Sequence, residues 1–278
     1  MKTFIDSFGT IIKTIRKERQ MTQKMLSQDI CSQSVLSRIE NNEELPNVVV
    51  MAQICQRLGV TIDQVMSLSN KDIRGSLKQF DLLAYYFRKR DYRKLEQLLK
   101  EPEIIDNLFL ESDYQRYYYY LGTCEFELYE NLSDAICYLK QALSYSSHID
   151  KIYASDIEIQ LISCIGKIYG AAGKTGEARY YLNRSTQLFE QFAEERTTIE
   201  LTQIFFNHAA FLLGQEEHEE ALAQIDQGIQ WAQEKNSYYY LDDLFLLKSH
   251  VFDQKGDQSK ADFYFELAQS VQRISKNS

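Results

Sequence analysis

Apolar residues at Phe4, Phe8, Ile11, Ile12 and Ile15 fall on one helical face, and the run stops at Arg19-Gln20, which predicts a first helix. Thr22 stands where a second helix bearing Met25, Leu26 and Ile30 needs an N-cap, and Ser32 does the same for a third bearing Val35, Leu36 and Ile39. The two short helices meet at a tight turn. A fourth helix follows Pro46-Asn47 with Val48, Met51, Ala52, Cys55 and Leu58, and Gly59 stops it. Thr61-Ile62-Asp63-Gln64 reads as a capping box for a fifth, anchored by Val65 and Met66. A polar stretch over 67–76, containing Gly75, then reads as a link to a long region of further helices.

A chain of 278 residues suggests two domains, and 44% hydrophobic with 26% charged residues excludes a mainly disordered one. Its 11 Gly and 2 Pro are too few for the turns of a sandwich, barrel or doubly wound sheet, so the expected fold class is all-α. The five cysteines, Cys31, Cys55, Cys124, Cys137 and Cys164, have no C-x-x-C spacing. Neither a disulfide framework nor a zinc site is expected, and the thiols read as reduced, in a cytoplasm. Asp6 interrupts the opening apolar stretch and no window approaches 18 uncharged apolar residues, so the expectation is a chain neither secreted nor membrane-spanning.

The net charge of −9 is uneven: residues 1–66 carry +1 and the remainder −10. Residues 13–24 set five bases against Glu18 alone, a surface suited to a phosphate backbone, although a solvated helix face explains the charge equally well.

The segments RKERQMTQKMLS over 16–27 and SQSVLSRIE over 32–40 resemble the Xre/Cro-type helix-turn-helix of phage repressors and bacterial regulators, over about residues 4–66. Ser27 stands where that family usually has Ala, and Asn42 where a Gly follows the third helix. Both are mild departures, since Asn tolerates a left-handed backbone. A recognition helix reaches base edges with side chains near its N-terminus, which names Gln33, Ser34, Ser37 and Arg38. Gln33 suits adenine and Arg38 guanine. Gln23 matches the family's phosphate-anchoring Gln at a helix N-terminus, and Lys17, Arg19 and Lys24 are candidates for the DNA backbone. The resemblance also implies that Arg16 pairs with Glu40 as a structural clamp. Cys31 abuts the recognition helix but has no second thiol nearby in sequence, so an inert turn residue is expected.

Downstream, RDYRKL ending at Leu95, NLSDA at Ala135, KTGEA at Ala178, EHEEA at Ala221 and DQSKA at Ala261 align at spacings of 40, 43, 43 and 40. Gly173 and Gly256 stand five before the key Ala, while Leu139, Leu182, Ile225 and Phe265 stand four after it. Ala142, Ser185, Gly228 and Ala268 stand seven after. This resembles the tetratricopeptide repeat. The resemblance implies about five helical hairpins in a right-handed superhelix with a concave binding groove. Taking each key Ala as repeat position 20 puts the groove-facing positions on Arg116, Tyr119, Tyr120 and Thr123, then Gln160, Ser163, Cys164 and Lys167. Gln203, Phe206, Asn207 and Ala210 follow, and then Asp243, Leu246, Leu247 and His250. Asn207 falls where peptide-binding repeats of this kind hold a peptide backbone through an amide's paired donor and acceptor; a solvent-facing Asn is the plainer alternative. The Tyr runs at 117–120 and 238–240 cover more than one helix face and read mostly as hairpin packing.

No H-E-x-x-H, G-x-S-x-G or P-loop is present, and His148, His208, His218 and His250 form no cluster in sequence, so no enzyme activity and no cofactor or metal are expected. The joint architecture resembles the peptide-pheromone receptors of Gram-positive bacteria, the Rgg, PlcR and PrgX relatives. What it implies is a quorum-sensing transcription regulator: residues 1–66 bind double-stranded DNA, 67–76 link, and 77–278 bind a short linear peptide and form a homodimer, with the last hairpins and the terminal helix near Phe263–Ile274 as the expected contact. An enzyme allied to peptide-regulated phosphatases, a peptide-independent repressor of the same build and a scaffold with an inert reader are the alternatives. Duplex affinity that falls steeply with salt separates the last from the others.

Overall fold

The side-chain caps legible in the sequence close the N-terminal helices. These are α1 (Lys2–Glu18), α2 (Gln23–Ser27), α3 (Gln33–Glu40), α4 (Val48–Arg57) and α5 (Ile62–Ser67) in the computed structural model. Thr22 Oγ1 accepts from Met25 N at 3.1 Å, Ser32 Oγ from Val35 N at 3.3 Å and Asn47 Oδ1 from Val50 N at 2.9 Å. Thr61 and Gln64 form the reciprocal box, at 2.8 and 3.1 Å. Each cap satisfies a backbone N–H that has no partner within its own helix. The structure describes residues 2–67, 70–106, 108, 110–145 and 153–276; His148 and the side chains of Phe4 and Met66 lie outside the description.

Phe8, Ile11, Ile12, Ile15, Leu26, Leu36, Ile39, Ile54 and Leu58 bury their apolar faces in one cluster. A Cβ on Gly9 would stand 1.9 Å from Ile39 O, so α1 and α3 touch backbone to backbone only because residue 9 has none. Asn42 takes the left-handed conformation at φ 61°, the one the family's Gly would adopt, and its Nδ2 donates to Thr10 Oγ1 at 3.0 Å.

The chain divides into two compact units, residues 1–131 with 140–155 and residues 132–139 with 156–278. The first contains α1–α5 together with α6 (Asn70–Arg88), α7 (Tyr92–Leu99), α8 (Pro102–Asp106) and α9 (Glu111–Tyr129), while α10 (Leu132–Ser144) is divided between the units. The stretch expected to link is helical from Asn70 as the start of α6, and residues 68 and 69 lie outside the description. Leu110, just before α9, joins the core of the N-terminal helices.

The second unit holds three successive hairpins: α11 (Asp156–Ala171) with α12 (Thr175–Glu190), α13 (Thr202–Gly214) with α14 (His218–Glu234), and α15 (Leu241–Gln254) with α16 (Gln258–Lys276). The repeat's small residues stand where helices meet. Ala178, Ala221 and Ala261 are buried, a Cβ on Gly166 would come within 2.7 Å of Leu182 Cγ, and one on Gly228 within 2.8 Å of Phe205 Cβ. The segment between α12 and α13 contains two 3-10 turns, Ala193–Glu195 and Ile199–Leu201, and this insertion lengthens the repeat there. Among the described residues there is no strand, and no helix is long and apolar enough to cross a membrane.

Candidate functional site

The reading surface begins with a buried anchor. Arg16 from α1 donates through Nε and Nη2 to both oxygens of Glu40 in α3, at 2.5 and 2.8 Å, and through Nη1 to Met21 O at 2.8 Å. The implied clamp is present. Glu40 Oε2 also accepts from Gln23 Nε2 at 2.9 Å, so one carboxylate orients α1, α2 and α3 together. Gln23, expected at a phosphate, therefore sits half-buried with one amide N–H committed to Glu40; an amide nitrogen carries a second.

On the outer side of α3, Gln33, Ser34 and Arg38 are exposed and Ser37 half-buried, while Leu36 and Ile39 lie inside. Ser34 Oγ lies 2.9 Å from Ser32 Oγ, and Arg38 Nε donates to Glu44 Oε2 at 2.7 Å. Lys17 and Lys24 are exposed. Arg19 corrects the expectation of a backbone contact: its side chain is only 13% exposed, with Nη2 3.4 Å from Gly59 O and 3.9 Å from the Glu111 carboxylate. A guanidinium so held is packed against α9. Burial and Glu44 raise the Cys31 thiol pKa, the direction of an unreactive thiol.

The groove-facing set divides. Arg116, Tyr119, Tyr120 and Thr123 on α9 are packing residues, a second correction. Arg116 donates to Glu18 O at 2.9 Å and lies over the Phe80 ring, Tyr119 and Tyr120 pack on Phe87 at 5.3 and 5.1 Å, and buried Thr123 donates to Tyr119 O. These rings pack between α6, α7 and α9 around Phe87. In the second unit two of the expected residues, Ser163 and Asn207, are joined in a closed seam between α11 and α13. Asn207 is 4% exposed and its Nδ2 donates to Ser163 Oγ at 3.1 Å, so it is not a solvent-facing Asn. Asn207 Oδ1 is buried and has no partner among the described residues. Gln160 and Cys164 are buried beside Ser163 in sequence on α11. Gln203, also buried, accepts through Oε1 from Tyr239 OH at 3.1 Å, a contact absent from the sequence reading. Lys167, Phe206, Ala210, Asp243 and Leu247 are half-buried, and Leu246 and His250 exposed. His208, between Asn207 and Ala209, is buried and its pKa driven down to about 4 by that burial, which keeps it neutral at physiological pH. Among the described residues no group of three or more His, Cys, Asp or Glu could hold a metal ion.

The family model described as Helix-turn-helix (HTH_3) matches residues 12–65. That segment is a helix-turn-helix domain. No curated protein sequence matches the chain. Among solved structures, PlcR of Bacillus thuringiensis in complex with the peptide PapR7 and DNA is 22% identical, with TM-score 0.56 over 98% of each chain. Its apo form is 19% identical, with TM-score 0.55 over 95% of each. BtubC from P. vanneervenii is 15% identical, with TM-score 0.54 over 75% of this chain and 85% of that one. At such identities the likeness is one of fold.

Where α1 of the helix-turn-helix domain ends, Glu18 places a carboxylate at the negative pole of a helix, half-buried and with Oε2 unpartnered among the described residues. Burial raises its pKa from 4.5 to about 7, Arg116 opposing and Asp113 adding to the shift. The folded state then binds more protons than the unfolded one between those values, so this group's contribution to stability falls as pH rises from 4.5 to 7. Glu18→Gln is expected to stabilise the protein by about 1–3 kcal/mol above pH 7. Urea titrations across pH check this: the advantage over wild type vanishes below about pH 4.5, and an advantage constant with pH refutes the shift.

Proposed function

We propose that this chain is a cytoplasmic, homodimeric transcription regulator in which residues 1–66 read duplex DNA, 67–76 connect, and 77–278 bind a short linear peptide and supply the dimer contact, with no cofactor and no catalysis. The observation that carries the DNA reading is the orientation of α3: its inner face is core, and Gln33, Ser34 and Arg38 project from its outer face, as a helix entering a major groove requires. Lys17, Lys24 and the second N–H of Gln23 supply phosphate contacts beside it.

Gln160, Ser163, Lys167, Gln203, Phe206, Asn207, Ala210, Leu247 and His250 are the proposed peptide-facing residues. In support, a buried acceptor without a partner costs about 1–3 kcal/mol, which an incoming backbone N–H at Asn207 Oδ1 recovers. That oxygen is enclosed, so entry of a peptide requires the seam between α11 and α13 to open. Such an opening is a differential contact through which a ligand can shift a dimer between two arrangements. That PlcR, which shares the fold, was solved with a peptide and DNA is consistent with this reading. The closed seam specifically favours a second reading, a peptide-independent regulator of the same build.

The test begins with selection of duplexes from a random pool by the full chain. Gln33→Ala is expected to cost about 1–3 kcal/mol on the selected site and relax its base choice. Lys17→Ala weakens selected and random duplexes alike and lowers the salt slope by about 1. Equal losses on both duplexes for Gln33→Ala would remove it from the reading surface. Calorimetry with synthetic peptides from short exported reading frames beside the gene tests the other half. Asn207→Ala abolishes binding and leaves DNA affinity intact, and no heat with wild type selects the second reading.

A further inference from the structure

Glu44 lies outside the base-reading set expected from the sequence, yet it is bonded to a member of that set. After α3 the left-handed Asn42 turns the chain back: Asn42 N–H donates to Ile39 O at 3.0 Å and Glu43 N–H to Arg38 O at 2.8 Å. This C-terminal turn, tied to α1 through Thr10, brings Glu44 Oε2 to 2.7 Å from Arg38 Nε. The two side chains are 48% and 39% exposed, and an ion pair so placed does little for stability. Its consequence is geometric. A guanidinium offers two donor edges, Nε with Nη2 and Nη1 with Nη2, and a carboxylate on Nε leaves the second, whose spacing fits the O6 and N7 of guanine. Rotamer freedom that would otherwise be lost on contact is already reduced.

We propose that Glu44 is a positioning residue for base choice, holding Arg38 by Nε so that Nη1 and Nη2 meet one guanine in each half-site. The inference rests on the DNA-reading function above. The same carboxylate beside the recognition helix repels phosphate and lowers affinity for every duplex, so it favours discrimination from two directions.

Selection from a random duplex pool with full-length wild type, Arg38→Ala, Glu44→Ala and Glu44→Gln tests it, with affinities for the selected and a scrambled duplex measured at two salt concentrations. Arg38→Ala identifies the position concerned. Glu44→Ala is expected to lower the guanine preference there roughly three- to tenfold and nowhere else. Its affinity for the scrambled duplex rises roughly two- to threefold at low salt. Glu44→Gln, which keeps an acceptor for Nε, restores most of the preference while retaining that raised affinity, and Arg38→Ala combined with Glu44→Ala discriminates no less than Arg38→Ala alone. An unchanged preference in Glu44→Ala overturns the proposal, as does an even loss at all positions, the mark of a merely structural role. A gain on the selected duplex larger than on the scrambled one overturns it too, because Glu44 would then be masking Arg38. A wild-type pool without any preference removes the DNA reading itself; a selective wild type with an indifferent Glu44→Ala removes this proposal alone.

Discussion

Replacing Glu40 by Ala is expected to cost the helix-turn-helix domain about 3–5 kcal/mol, because it leaves the Arg16 guanidinium in a dry site with Met21 O as its remaining described partner. The Glu40 side chain is fully enclosed and that of Arg16 is 10% exposed, so water cannot replace the lost carboxylate without opening the core. Gln23 loses its orienting contact at the same time. Hydrogen exchange of the α1 and α3 amides reads the local opening free energy in the full-length chain. Glu40→Gln keeps acceptor geometry and should lose less. Arg16→Met with Glu40→Leu removes both charges and should recover most of the loss, since a buried ion pair often matches an apolar pair of similar volume. A Glu40→Ala loss below about 1 kcal/mol would mean that the guanidinium finds water and the clamp is dispensable.

The largest effect expected in the second unit belongs to Arg196. It lies in the segment between α12 and α13 and donates through Nη1 to Asp156 at the start of α11 at 2.5 Å, through Nη2 to Leu188 O at 2.8 Å and through Nε to Phe189 O at 3.2 Å. Those carbonyls belong to the last turn of α12, where Phe189 O also accepts from Phe192 N at 3.4 Å. Lys235 Nζ holds Arg196 O at 2.7 Å and Trp231 Nε1 holds Thr198 O at 3.3 Å, fastening the same segment to α14. Arg196→Ala removes donors from the end of α12 and leaves the buried Asp156 carboxylate without its ion-pair partner, with Thr198 still bonded to it, a loss of about 3–5 kcal/mol in the unfolding of this unit. Arg196→Lys keeps the charge but not the fork and should fall between the two. Burial already raises the Asp156 pKa against the pull of Arg196, and without Arg196 it rises further. The variant's folded state therefore takes up a proton more readily than its unfolded state, and its deficit should narrow as pH falls through that raised pKa. A deficit independent of pH would show that Asp156 is not stranded by the change.

Both effects mark what is readable along the chain and what is not. The caps at Thr22, Ser32 and Thr61-Gln64, the left-handed Asn42 and the core stripe of α1 were legible because each depends on partners a few residues away or on the helical period. The repeat was legible for a related reason, since two helices in contact tolerate only small residues where they cross, and Ala178, Ala221 and Ala261 are buried there.

The side chains that misled did so through distant partners. Arg19 is a base in a basic run, and only the arrival of Glu111 and the neighbouring Gly59 carbonyl turns it inward. Arg116 occupies a groove position by repeat count but reaches the end of α1, 98 residues earlier in the chain. The repeat position singles out Asn207 without fixing its surroundings. Its enclosure, its bond to Ser163 and its idle oxygen depend on how α13 lies against α11. The Arg196 clasp carries no local signal, since an Arg in a loop looks the same whether it meets water or the end of a helix. By itself, then, the amino-acid order determined the helices, the reader and the hairpin plan, because periodicity and capping act over a few residues. Tertiary structure alone decided which polar groups are enclosed and with whom, because desolvation and ion pairing depend on neighbours through space.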